Sequence, residues 1–68
     1  MTITKENRGT LLAAKSIVED GLNKYVNDGV RFGYFSEDED PKQIGYNVLQ
    51  KLIDLELYEV ANVLKNHI

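Results

Sequence analysis

The chain has 68 residues and a net charge of −3, from 8 Lys and Arg side chains against 11 Asp and Glu side chains. It contains no Cys, which excludes disulfides, a thiolate nucleophile and a Cys-ligated zinc site. A chain this short and acidic predicts a single small domain over residues 1–68 with a marginal core. It also argues against direct nucleic-acid binding, which needs clustered Lys and Arg.

The apolar runs and the N-terminus give no sign of a membrane segment or a secretory signal. No apolar run approaches the roughly 18 residues of a membrane-spanning helix. The polar start, residues 1–9, lacks the apolar stretch of a signal peptide. We therefore expect a cytoplasmic protein without membrane association, an assignment that the absence of Cys also fits.

The first periodic stretch predicts a helix over about residues 5–27. Its apolar side chains recur at helical spacing and share one face: Leu11, Ala14, Val18, Leu22, Tyr25 and Val26. Gly21 lies on the same face, where we expect another helix to approach closely. The Asn and Asp before Gly29 predict the end of this helix, with Gly29 in the left-handed C′ position.

Residues 29–40 are predicted to form an extended connector that is aromatic first and acidic afterwards. Residues 30–35 alternate in a period of two, which is typical of a strand. The chain offers no second strand candidate, so we expect a loop packed on the helices or an edge that pairs with another chain. Residues 29–41 hold one basic and four acidic side chains, which account for the whole net charge of −3 because both flanking parts are neutral.

A second helical segment is predicted to begin after Asp40. Asp40 is a favourable N-cap, Pro41 suits the first helical position, and Gln43 would complete a capping box. The apolar residues from Ile44 to Ile68 fall on two helix faces, which differ in direction by about a quarter to a third of a turn. We therefore predict helices over about 41–54 and 56–67, with one bent helix as the alternative. The fold class is all-α, a small helical hairpin or three-helix domain.

No motif for catalysis, nucleotide binding or metal binding is present. His67 is the only His and lies one residue from the end of the chain, where we expect a solvated cation beside the negative end of the last helix. We therefore expect no enzyme, no catalytic residue, no metal ion and no cofactor.

Two adjacent clusters are the candidate partner-binding residues. They are the aromatic residues and the acidic residues of the connector: Phe32, Tyr34, Phe35, Glu37, Asp38 and Glu39. We predict that the rings anchor a protein with a basic surface and that the carboxylates form a charged rim. Asp40 is left out because its carboxylate caps the helix.

Each cluster also has alternatives. The rings would complete the core if they are buried. The acidic residues 37–40 would otherwise serve only to cap the next helix and keep the chain soluble. Two further alternatives are a binding site for a divalent cation and a recognition sequence for phosphorylation of Ser36.

By elimination, we expect a small, acidic, non-enzymatic protein-binding module, such as an inhibitor, adaptor or accessory factor. Its size and charge would also suit a viral or mobile-element protein that blocks a host protein. The alternatives are a nucleic-acid mimic that occupies a basic cleft and a self-assembling structural subunit. A marginal core and an unpaired extended segment further predict a homo-oligomer.

Overall fold

The computed structural model describes residues 4–68, the side chain of Glu6 excepted, and these residues form four helices and no strand. The helices are α1 (Lys5–Asp20), α2 (Leu22–Arg31), α3 (Pro41–Asp54) and α4 (Tyr58–Lys65). The all-α class is confirmed, and the predicted bounds of α3 and α4 lie within two residues of those observed.

The helix predicted over residues 5–27 is two helices that meet at Gly21. The Gly21 backbone has φ 99° and ψ 150°, a region that is essentially restricted to glycine. Its N–H donates to the Ile17 carbonyl at 2.9 Å to end α1, and its carbonyl accepts from the Tyr25 N–H at 3.1 Å to begin α2. A Cβ at Gly21 would meet no atom within 4 Å, so the expected close approach of another helix was wrong.

Helix α2 continues past its predicted end, and Gly29 lies inside it rather than after it. Gly33 is the left-handed C′ residue instead, with φ 82°. The Gly33 N–H donates to the Val30 carbonyl at 3.1 Å, and the Tyr34 N–H donates to the Gly29 carbonyl at 2.7 Å. These are the two hydrogen bonds of a Schellman motif.

The connector is therefore shorter and more folded than predicted. Residues 30 and 31 belong to α2, and residues 32–40 form two consecutive turns. Over residues 4–68 the expected strand-like edge is absent, and one of the two reasons for predicting a homo-oligomer disappears with it.

Helix α3 begins as predicted. The Asp40 carboxylate accepts from the Lys42 N–H at 3.1 Å, and Pro41 is the first helical residue. The predicted capping box does not form among the described residues, because the Gln43 side-chain amide reaches forward and donates to Asn47 at 3.0 Å.

The predicted break between α3 and α4 is confirmed, and a residue other than glycine makes it. Glu56 is left-handed, with φ 61°. Its N–H donates to the Ile53 carbonyl at 2.9 Å, and the Leu57 N–H donates to the Leu52 carbonyl at 2.8 Å. This second Schellman motif turns the chain so that the apolar face of α4 joins the core built by the preceding helices.

One cluster of buried side chains joins the helices. Its buried members come from α1, α3 and α4: Ala14, Ile17, Leu52, Ala61 and Leu64. Helix α2 packs against this cluster through Leu22 and Tyr25. A Cβ at Gly45 would lie 3.2–3.3 Å from side-chain atoms of Leu22 and Ile68, so Gly45, unlike Gly21, is tightly packed.

Candidate functional site

The three aromatic residues of the connector do not share one environment. Phe32 is 73% exposed and Tyr34 is 79% exposed, so neither ring belongs to the core. The Phe35 ring is half-buried and lies against Tyr25, with ring centroids 5.6 Å apart and planes inclined by 58°. Phe32 and Tyr34 are therefore surface residues, whereas Phe35 packs on Tyr25 outside the central cluster of buried side chains.

The end of α2 fixes the positions of the two exposed rings. Phe32 is the C-cap residue, and Tyr34 lies two positions beyond it, held by the Schellman hydrogen bond to Gly29. Phe35 packs directly over Gly29, where any Cβ would overlap the ring. The backbone that carries both exposed rings is thus ordered before any partner arrives, which lowers the entropy lost on binding.

The acidic residues form a turn of their own that the sequence analysis missed. The Ser36 N–H donates to the Glu39 carboxylate at 2.9 Å, and the Asp38 N–H donates to the Ser36 hydroxyl oxygen at 3.3 Å. The Ser-x-x-Glu spacing of a capping box, visible in the sequence, is the signal for this turn. All three acidic residues are exposed, but the Glu39 carboxylate is already engaged in a hydrogen bond within the chain.

A surface cavity of about 220 Å³ opens between α1, α2 and residues 32–35, which we call the aromatic turn. Besides Gly29, its walls are four aromatic rings and two polar side chains: Ser16, Tyr25, Asp28, Phe32, Tyr34 and Phe35. Sequence reasoning missed three of these residues, Ser16, Tyr25 and Asp28. The spacing of residues 25, 28, 29 and 32 places them on one helix face, but only if the helix runs beyond residue 27.

The cavity carries one formal charge. Burial raises the pKa of the Tyr25 phenol, which stays neutral. Within residues 4–68, no side chain or backbone group forms a hydrogen bond or ion pair with the Asp28 carboxylate. Neither Lys nor Arg lines the cavity, and Arg31, the nearest cation along the chain, lies outside its walls.

No family model matches the chain, and no curated protein or solved structure matches it. None of the helices in residues 4–68 has the length and apolar character needed to cross a bilayer. The same residues contain no group of three or more His, Asp and Glu side chains arranged to hold a metal ion.

Proposed function

We propose that this protein is a small non-enzymatic binding module that attaches to a basic surface of another protein. The observation that carries the proposal is the exposure of Phe32 and Tyr34 on a turn fixed by backbone hydrogen bonds. Large aromatic side chains of this kind act as anchors at interfaces because they bury much area and have few rotatable bonds.

The charge around the rings supports a basic partner. Glu37 and Asp38 are exposed within a few residues of Tyr34, and Asp28 lines the neighbouring cavity. Carboxylates at the edge of an apolar contact mainly accelerate association and select partners of opposite charge. The rim of the proposed interface is thus Glu37 and Asp38, with Glu39 retained to hold the turn.

The first test is affinity capture from a lysate of the source organism, with three forms of the protein compared. The forms are the wild type, the double variant Phe32→Ser/Tyr34→Ser and the control Tyr46→Ser/Tyr58→Ser. The control removes two other rings, 52% and 57% exposed, that lie on α3 and α4. A protein that the wild type and the control retain, and that the double variant loses, supports the proposal.

The second test uses the purified partner and measures association rates at several salt concentrations. Glu37→Lys/Asp38→Lys should slow association and weaken its salt dependence. Glu19→Lys/Asp20→Lys changes the net charge equally at the exposed end of α1 and should leave the rate nearly unchanged. A partner that is a nucleic-acid-binding protein, with affinity that collapses steeply with salt, would favour the alternative function of a nucleic-acid mimic.

A further inference from the structure

We propose that the cavity between α1, the end of α2 and the aromatic turn receives the guanidinium group of an arginine side chain on the partner protein. This inference rests on the proposed function, and it names the side chain that the partner contributes. The cavity of about 220 Å³ has room for one long side chain rather than for a segment of backbone.

The walls of the cavity suit a cation. Tyr25, Phe32, Tyr34 and Phe35 each present an aromatic ring, and aromatic faces attract cations through their quadrupole. Tyr25 and Phe35 are tilted against each other at a centroid distance of 5.6 Å and form the inner wall. Phe32 and Tyr34 are the exposed outer rings, which a ligand would cover on entry.

Asp28 supplies the complementary charge. It lies in the last turn of α2, where the helix dipole disfavours a carboxylate, so its position does not serve the stability of α2. No group in residues 4–68 neutralises it through a hydrogen bond or ion pair. A half-buried, unpaired carboxylate that lines the same cavity as four aromatic rings suits a positively charged ligand.

Arginine fits these features better than lysine. Its planar guanidinium can stack on a ring while its N–H groups point at a carboxylate in the same plane. It also loses less hydration than a lysine ammonium when it enters an aromatic site. The adjacent Glu37 and Asp38 would attract the basic surface around that arginine.

The direct test is a titration of the full chain followed by two-dimensional NMR of the aromatic and backbone signals. The probes are the acetylated methylamides of arginine, lysine and citrulline, at constant ionic strength. Citrulline has nearly the shape of arginine without its charge. We expect arginine to shift the signals of Phe32, Tyr34 and Asp28 saturably in the millimolar range, and citrulline to bind about fivefold or more weakly.

Two variants test whether the Asp28 carboxylate contributes to arginine binding. Asp28→Asn keeps the size of the side chain, removes its charge and should weaken arginine binding about threefold to tenfold. Asp54→Asn makes the same change at the exposed end of α3, a helix that contributes no wall of the cavity, and should leave the affinity unchanged. Thermal unfolding of both variants verifies that each is folded.

Several results would overturn the inference. Equal binding of citrulline would mean an apolar or neutral occupant, and tighter binding of lysine would remove the arginine assignment. An absence of shifts with all three probes would remove the cavity as a site. None of these results bears on the capture experiment. A partner retained equally by the wild type and by Phe32→Ser/Tyr34→Ser would overturn the proposed function and leave the arginine titration intact.

Discussion

Gly21 shows how one residue decides the architecture of the first half of the chain. Its φ of 99° and ψ of 150° let α1 end and α2 begin within a single residue. A Cβ at this position would meet no atom within 4 Å, so packing does not require a glycine here. The requirement for glycine is therefore purely conformational. We expect Gly21→Ala to destabilise the fold by about 1–3 kcal/mol, measured by urea denaturation.

Gly9 offers the matched control for that substitution. It lies inside α1, and a Cβ there would also meet nothing within 4 Å. Gly9→Ala should stabilise the protein by about 0.5–1 kcal/mol, because alanine loses less conformational freedom on forming a helix. If both variants moved the free energy of unfolding in the same direction, the conformational account of Gly21 would be wrong.

Glu56 shows the opposite situation, since it occupies a left-handed position without being glycine. A left-handed backbone is disfavoured by about 1–2 kcal/mol for a residue with a Cβ. Glycine avoids this cost, but it loses more conformational entropy on folding, which offsets about 0.5–1 kcal/mol of the gain. Glu56→Gly should therefore raise the free energy of unfolding by roughly 0.5–1 kcal/mol. Glu59→Gly, which makes the same change inside α4, should lower it by about 1 kcal/mol.

At the scale of the helices, the sequence predicts helix boundaries best where a residue type has a single structural role. Asp40 before Pro41 marks the start of α3, and the change of apolar face marks the break before α4. Glycine is ambiguous by comparison. Gly21 breaks a helix, Gly33 ends one and Gly29 makes room for a ring, yet all three look alike in the sequence.

That ambiguity also limited the prediction of the candidate site. Ending the predicted helix at about residue 27, with Gly29 as its C′ residue, removed the last turn of α2, and with it the face that brings Asp28 beside Tyr25 and Phe32. The sequence singled out Phe32, Tyr34 and Phe35 together as candidate anchors, and only the structure separates the two exposed rings from Phe35, which is half-buried. The cavity between them depends on tertiary packing, which no local pattern contains.

The cap of α3 provides a test at the same scale. Asp40→Ala removes the carboxylate that accepts from the Lys42 N–H, and it should lower the free energy of unfolding by about 0.5–2 kcal/mol. Asp38→Ala removes an exposed carboxylate that caps no helix, and should change it by less than about 0.5 kcal/mol. Denaturation of both variants followed by far-UV circular dichroism compares them directly. Equal effects would mean that the general acidity of the turn matters, and not the cap.

At the scale of the whole molecule, the small hydrophobic core limits the stability of the fold. Within residues 4–68, seven apolar side chains are buried, and two of them are alanines. A chain of this size is stabilised by only about 3–10 kcal/mol. Several large apolar side chains remain at the surface, Tyr46, Ile53 and Tyr58 among them, and the rings of the proposed interface add to this area.

We therefore keep the prediction of a homo-oligomer on the ground of the small core alone, since residues 30–35 do not form the strand edge that was its other reason. Association of folded chains stabilises them by mass action, so the melting temperature should rise with protein concentration. Sedimentation equilibrium from micromolar to near-millimolar concentration should show a dimer or a larger species. Phe32→Ser/Tyr34→Ser separates the two surfaces: if it leaves the association constant unchanged, the copies meet through the helices and the aromatic turn stays free for another protein. A monomer at every concentration, with a constant melting temperature, would mean that this small core stabilises the fold without association.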